Sequence, residues 1–91
     1  MKSGSTAKLK IFGKVAQIHF NGETDKVFSG DMEMSMLSTQ YFPITSIIPV
    51  IASSGHKLTL YFTNGKIIFR MIDNIPANTY IYVNATYLLN N

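Results

Sequence analysis

The chain contains no cysteine and no tryptophan. Without cysteine there is no disulfide framework, no thiolate nucleophile and no thiolate metal site, so the staples of many small secreted domains are excluded. Charge is scarce as well: Asp, Glu, Lys and Arg make up 14% of the residues, against about 25% in ordinary soluble domains. The longest apolar stretch, Ile47-Ile48-Pro49-Val50-Ile51-Ala52, falls far short of the roughly 20 residues that a membrane-spanning helix needs. The N-terminus lacks the apolar core of a signal peptide, so the expectation is a soluble chain made in the cytoplasm.

Against these absences stands a hydrophobic content of 46% and an aromatic content of 12%. Ninety-one residues allow one domain, and a chain this short buries only about 60% of its unfolded surface. Met1-Lys2-Ser3-Gly4-Ser5-Thr6 is small, polar and aperiodic; residues 1–6 therefore read as an expression scar or linker, and the domain as 7–91. Ile, Val and Thr supply 23 residues and Tyr and Phe 11 more, while Ala, Leu and Glu supply 13. β-Branched and aromatic side chains suit a pleated surface, which predicts an all-β fold.

Strand-like runs occupy 8–12, 14–20, 27–37, 44–52, 57–63, 66–72 and 79–89, separated by turn residues. Seven short antiparallel strands at this even spacing predict a sandwich or a barrel. Asn64-Gly65 between two of the runs predicts a type I′ hairpin, because both residues tolerate positive φ. Leu58, Leu60 and Phe62 then form a core face. The arm 66–72 is apolar on both sides except at Arg70, which predicts a central strand or one against a partner. Pro49 cannot donate to a ladder, so its run is expected at an edge or broken in two. Met32, Met34 and Met36 alternate with polar residues; they read as a half-buried strand with methionines filling core gaps, or as an adaptable contact surface.

Chemistry is thinly supplied. Glu23, Asp25, Asp31, Glu33 and Asp73 are the carboxylates, and His19 and His56 the imidazoles. Asp31 and Glu33 would point the same way on a strand, about 7 Å apart, but an exposed strand face gives that spacing without the cleft that acid–base catalysis needs. No zinc or EF-hand spacing, phosphate loop or nucleophile elbow occurs. No enzyme activity, metal or cofactor is expected.

The net charge is +3. Lys2, Lys8, Lys10 and Lys14 cluster near the N-terminus, where lysines commonly guard an edge strand. Lys57, Lys66 and Arg70 share a hairpin with Tyr61, the interleaving that an OB-like nucleic-acid binder would use. The last run puts Ile81, Val83, Ala85 and Tyr87 on one face and Tyr80, Tyr82, Asn84 and Thr86 on the other. Rings with hydroxyls and amides suit carbohydrate or protein contact, and a subunit interface would use the same tyrosines.

Leu37-Ser38-Thr39-Gln40-Tyr41-Phe42-Pro43, the hairpin region 55–72 and Asn78-Thr79-Tyr80-Ile81-Tyr82-Val83-Asn84-Ala85-Thr86-Tyr87-Leu88 together resemble the tip domain of bacteriophage tail and baseplate fibres from Gram-positive hosts. Gly13-Lys14-Val15-Ala16-Gln17-Ile18-His19-Phe20 fits the opening strand of that pattern. Where the family more often carries Leu-Pro and Arg-Pro pairs, this chain has Leu37-Ser38 and Phe42-Pro43. The resemblance implies a small Greek-key or jelly-roll-like antiparallel β-sandwich that serves as a receptor-binding head in the virion, assembled as a parallel homotrimer. It would adhere to host cell-wall polysaccharide or teichoic acid, or connect to another baseplate protein. A small, apolar, unstapled domain would also gain from burying a flank against identical copies. On side-chain chemistry the candidate ligand-binding residues are Tyr80, Tyr82, Asn84, Arg70, His19, His56 and Tyr41.

Overall fold

The computed structural model describes residues 1–90, with Asn91 of the expected domain outside the described residues. Seven strands form: β1 (Thr6–Phe12), β2 (Val15–Glu23), β3 (Asp31–Met36), β4 (Ile47–Ile51), β5 (Lys57–Thr63), β6 (Lys66–Met71) and β7 (Tyr80–Leu88). The protein is all-β, and every strand pair is antiparallel. Thr39–Tyr41 makes a single 3-10 turn. No helix among the described residues is long and apolar enough to cross a membrane.

The strands form two sheets, ordered β1-β2-β7 and β3-β6-β5-β4. In the second, β4, β5 and β6 follow one another and β3 lies beside β6, a Greek-key arrangement with the long connection between β3 and β4. The β5–β6 turn carries Asn64 and Gly65 at φ 49° and 73°, the double positive-φ geometry of a type I′ turn, and it sets Thr63 opposite Lys66. As the apolar pattern of 66–72 predicts, β6 is central; β4, which holds Pro49, is an edge.

Alternation sorts the faces. Ala16, Ile18 and Phe20 from β2, and Ile81, Val83, Ala85 and Tyr87 from β7, point inward to meet Leu58, Leu60, Phe62, Ile67 and Phe69 from the other sheet. Phe20 and Phe69 join the two sheets edge to face at 4.9 Å, and Phe62 lies between Phe42 at 5.7 Å and Tyr87 at 5.4 Å. Edge-to-face aromatic pairs add about 1 kcal/mol beyond the area they bury. Among the described residues, Thr24 is the buried polar one. Its hydroxyl donates to the Pro76 carbonyl at 2.7 Å and accepts from the Thr79 amide at 3.0 Å, so its burial is compensated.

Four expectations are corrected. Residues 1–6 are part of the packed structure: β1 begins at Thr6, the Lys2 amide donates to Glu23 at 2.9 Å, and Met1 packs on the core. Gly22 permits this, because a Cβ there would meet Ser5 Cβ at 2.5 Å and Met1 Sδ at 2.6 Å. The run 27–37 is shorter as a strand, since Phe28 and Ile75 exchange both backbone hydrogen bonds and take that stretch away from β6. The methionine stripe is broken by a bulge between Glu33 and Ser35. Met32 and Met34 therefore pack on the core while Met36 is turned outward, 75% exposed. Finally, the start of the run 44–52 leaves β4 to bind β7, Ile44 donating to Leu88 at 3.1 Å.

Truncating the buried Phe69→Ala should cost about 3–5 kcal/mol in urea unfolding. Ile51→Ala on β4, 66% exposed, should stay within about 0.5 kcal/mol. Comparable losses at both positions would contradict the inward and outward assignment.

Candidate binding face

The solvent side of β1-β2-β7 is built in rungs. Pairing sets Thr6 beside Asn21 and Asn21 beside Tyr82; Lys8 beside His19 and His19 beside Asn84; Lys10 beside Gln17 and Gln17 beside Thr86. The rungs share a face because the alternate residues Ala16, Ile18 and Phe20 are committed to the core. Tyr82 lies diagonal to His19 across the β2–β7 pair. Its hydroxyl is hydrogen-bonded to His19 Nδ1 at 2.7 Å, with the rings edge to face at 5.8 Å. Beside them, Thr6, Lys8, Lys10, His19, Asn21 and Tyr82 line a cavity of about 230 Å³.

Three features give this cavity chemical character. Among the described residues neither Lys8 nor Lys10 has a carboxylate partner, while the nearby Glu23 is held by Lys2 at 3.3 Å. Asn21 Oδ1 is buried without a hydrogen-bond partner, an uncommon condition that costs free energy where it stands. Tyr80 and Tyr82 present ring surface beside the polar groups, Tyr80 being 63% exposed. A ligand with hydroxyls, a negative charge and a flat apolar face would find a complement for each.

The seven residues singled out from sequence fall in four places. His19, Tyr80, Tyr82 and Asn84 share this face. His56 sits on the β4–β5 turn, its Nδ1 bonded to Ser54 Oγ at 2.8 Å; the same turn leans on β7, where Ser53 Oγ accepts from the Tyr82 amide at 2.9 Å. Tyr41 closes the 3-10 turn, half-buried against the core, and its carbonyl accepts from the Tyr87 hydroxyl at 2.9 Å. Arg70 is on the outer face of the other sheet. It binds Asp31 through two hydrogen bonds, at 3.0 and 3.1 Å, and lies 4.4 Å over the Tyr61 ring. The Asp31 hydrogen bond raises the Arg70 pKa, and Arg70 in turn lowers that of Asp31.

That arrangement changes how two sequence features read. Asp31 and Glu33 do share an exposed face, but each is matched to a cation across the strand pair, Glu33 to Lys66 at 3.2 Å. Tyr61, the ring that would have stacked a base, is covered by Arg70. Lys8, Lys10, Thr6 and Asn21 were missed as site residues. Their signal was the two-residue Gly13-Lys14 connection, which fixes Lys8 opposite His19 once 8–12 and 14–20 are read as a hairpin. No group of metal-ligating side chains occurs among the described residues. No protein-family model, curated protein or solved structure matches the chain.

Burial pushes the Tyr87 phenol up to about 12 from its ordinary 10.0. The fold holds the neutral phenol, so this contribution to stability is complete below pH 10 and disappears as pH rises towards about 12. Tyr87→Phe should lower stability near pH 7 by about 1 kcal/mol through loss of the bond to Tyr41. It should also flatten the alkaline decline of the melting temperature, whereas equal slopes for the two proteins would show that Tyr87 does not titrate in this way.

Proposed function

We propose that this chain is a non-catalytic adhesion domain of a phage tail or baseplate fibre, holding host cell-wall polysaccharide or teichoic acid on the β1-β2-β7 face. The observation that carries the reading is the cavity of about 230 Å³, where two lysines without carboxylate partners among the described residues, an imidazole, a phenol and an amide converge. Phenol and amide groups bond sugar hydroxyls, the exposed Tyr80 and Tyr82 rings suit the apolar faces of sugars, and the lysines suit phosphate or carboxylate substituents. The resemblance of the hairpin and closing strand to fibre tips supports the setting. In a homotrimer, weak individual sites would gain avidity through linkage, and the net charge of +3 favours approach to anionic polymers.

A connector role, docking another baseplate protein, is the second reading. It is favoured by the apolar groups on the outer face of the other sheet, where Met36, Ile47 and Ile51 are exposed.

Co-sedimentation with host cell walls tests the first reading. The domain should be retained, and Tyr82→Ala should weaken retention about tenfold, equivalent to ~1.4 kcal/mol. Retention no better than that of a control protein of similar charge would favour the connector.

A further inference from the structure

The sandwich is closed on one side and open on the other. At the closed side the segments flanking β4 are joined to β7 through the backbone: Ile44 donates to Leu88 at 3.1 Å and Ser53 to Tyr82 at 3.0 Å. At the open side, the edge strands β1 and β3 flank a cavity of about 370 Å³, whose apolar lining includes Ala7, Phe20, Phe28, Met32 and Met34. Asp25 and Glu33 at its rim are already matched, Asp25 by the Met1 amine at 3.6 Å and Glu33 by Lys66.

The four sheet edges differ in their readiness to accept another strand. β4 contains Pro49, β3 is interrupted by the bulge between Glu33 and Ser35, and β7 is partly capped by Ile44 and Ser53. β1 has none of these features. Its seven residues keep one uninterrupted register with β2, and among the described residues no strand lies on its far side. Half of its backbone donors and acceptors therefore face away from the sheet, a ready template for strand addition.

The side chains select the partner. Lys8 and Lys10 project from the outer face of β1 without carboxylate partners among the described residues, and Leu9, between them, packs inward. A second copy of β1 added antiparallel would bring lysines against lysines on the same face, which is destabilising. A strand with acidic residues at alternate positions would set them beside Lys8 and Lys10. Its intervening residues would fall on the inner side, towards the Ala7, Phe20, Met32 and Met34 side chains of the cavity.

We propose that the free edge of β1 is a docking site for an extended segment of another protein in which acidic and apolar residues alternate. The added strand extends the β1-β2-β7 sheet and covers the open side of the sandwich. This goes beyond saccharide adhesion and is separable from it: Lys8 and Lys10 belong to both sites, but the added strand is held by backbone hydrogen bonds along β1 that a saccharide does not make.

The probe is a seven-residue peptide alternating valine and glutamate, matched to the length of β1 and titrated into the full chain while amide exchange is followed by NMR. The β1 amides that point away from β2 should become protected on binding. Joint Lys8→Glu and Lys10→Glu substitution should weaken binding about tenfold or more and shift preference to a valine–lysine peptide. A valine–glutamate peptide N-methylated at alternate residues should not bind. Equal binding of the N-methylated peptide, or the same protection from polyphosphate, would show an anion site without strand addition and overturn the proposal. Failure of the unmodified peptide to bind would overturn it as well, leaving the lysines as guards of the edge.

Discussion

Phe20 from one sheet meets Phe69 from the other edge to face at 4.9 Å, and this contact decides what the rest of the surface displays. Successive residues of a strand point to opposite sides. Once Phe20 is inside, His19 and Asn21 are outside; once Phe69 is inside, Ile68 and Arg70 lie on the other side of β6. Slipping either strand by one residue would exchange the core for the surface, so the same apolar burial that stabilises the fold also fixes the candidate face.

The two sides of the sandwich are used differently. Where β4 meets β7, Ser53, Ile44 and Pro43 bind the last strand, and Leu89 is paired with Pro43. Where β1 and β3 flank the open side, Met1, Met32 and Met34 line the cavity between them, and among the described residues no ladder joins the two strands. Lys8 and Lys10 stand at this border. On the proposed reading they serve both the adhesive face and the free edge, so the scarcity of charge is a matter of placement: Asp31, Glu33, Lys66 and Arg70 are spent on one another, whereas these two lysines are not.

Local grammar was readable in advance. Asn64-Gly65 announced the hairpin, Pro49 announced an edge or a broken strand, and the clean alternation of the last run announced which tyrosines face solvent. What could not be read is long-range: nothing in 15–23 or 80–88 names the other as its partner, yet that pairing creates the His19–Tyr82 hydrogen bond at 2.7 Å. The bulge at Glu33 and Ser35 was hidden for a similar reason, since a perfect alternation of methionines gives no sign that the ladder will skip a residue. Met1-Lys2-Ser3-Gly4-Ser5-Thr6 looked like a linker because its composition is polar, but its packing depends on Gly22 having no side chain, a feature far along the chain. Arg70, His56 and Tyr41 were chosen for chemistry alone, and chemistry without topology cannot say that three residues occupy separate regions.

The central claim is that recognition resides on the β1-β2-β7 face, and residue-resolved NMR titration with solubilised host-wall polysaccharide or teichoic acid tests it most directly. The account predicts shift changes gathered on Thr6, Lys8, Lys10, His19, Asn21 and Tyr82, with the outer faces of β4, β5 and β6 unaffected. Changes centred on Ile47, Ile51 and Tyr61, or none at saturating polymer, would contradict it.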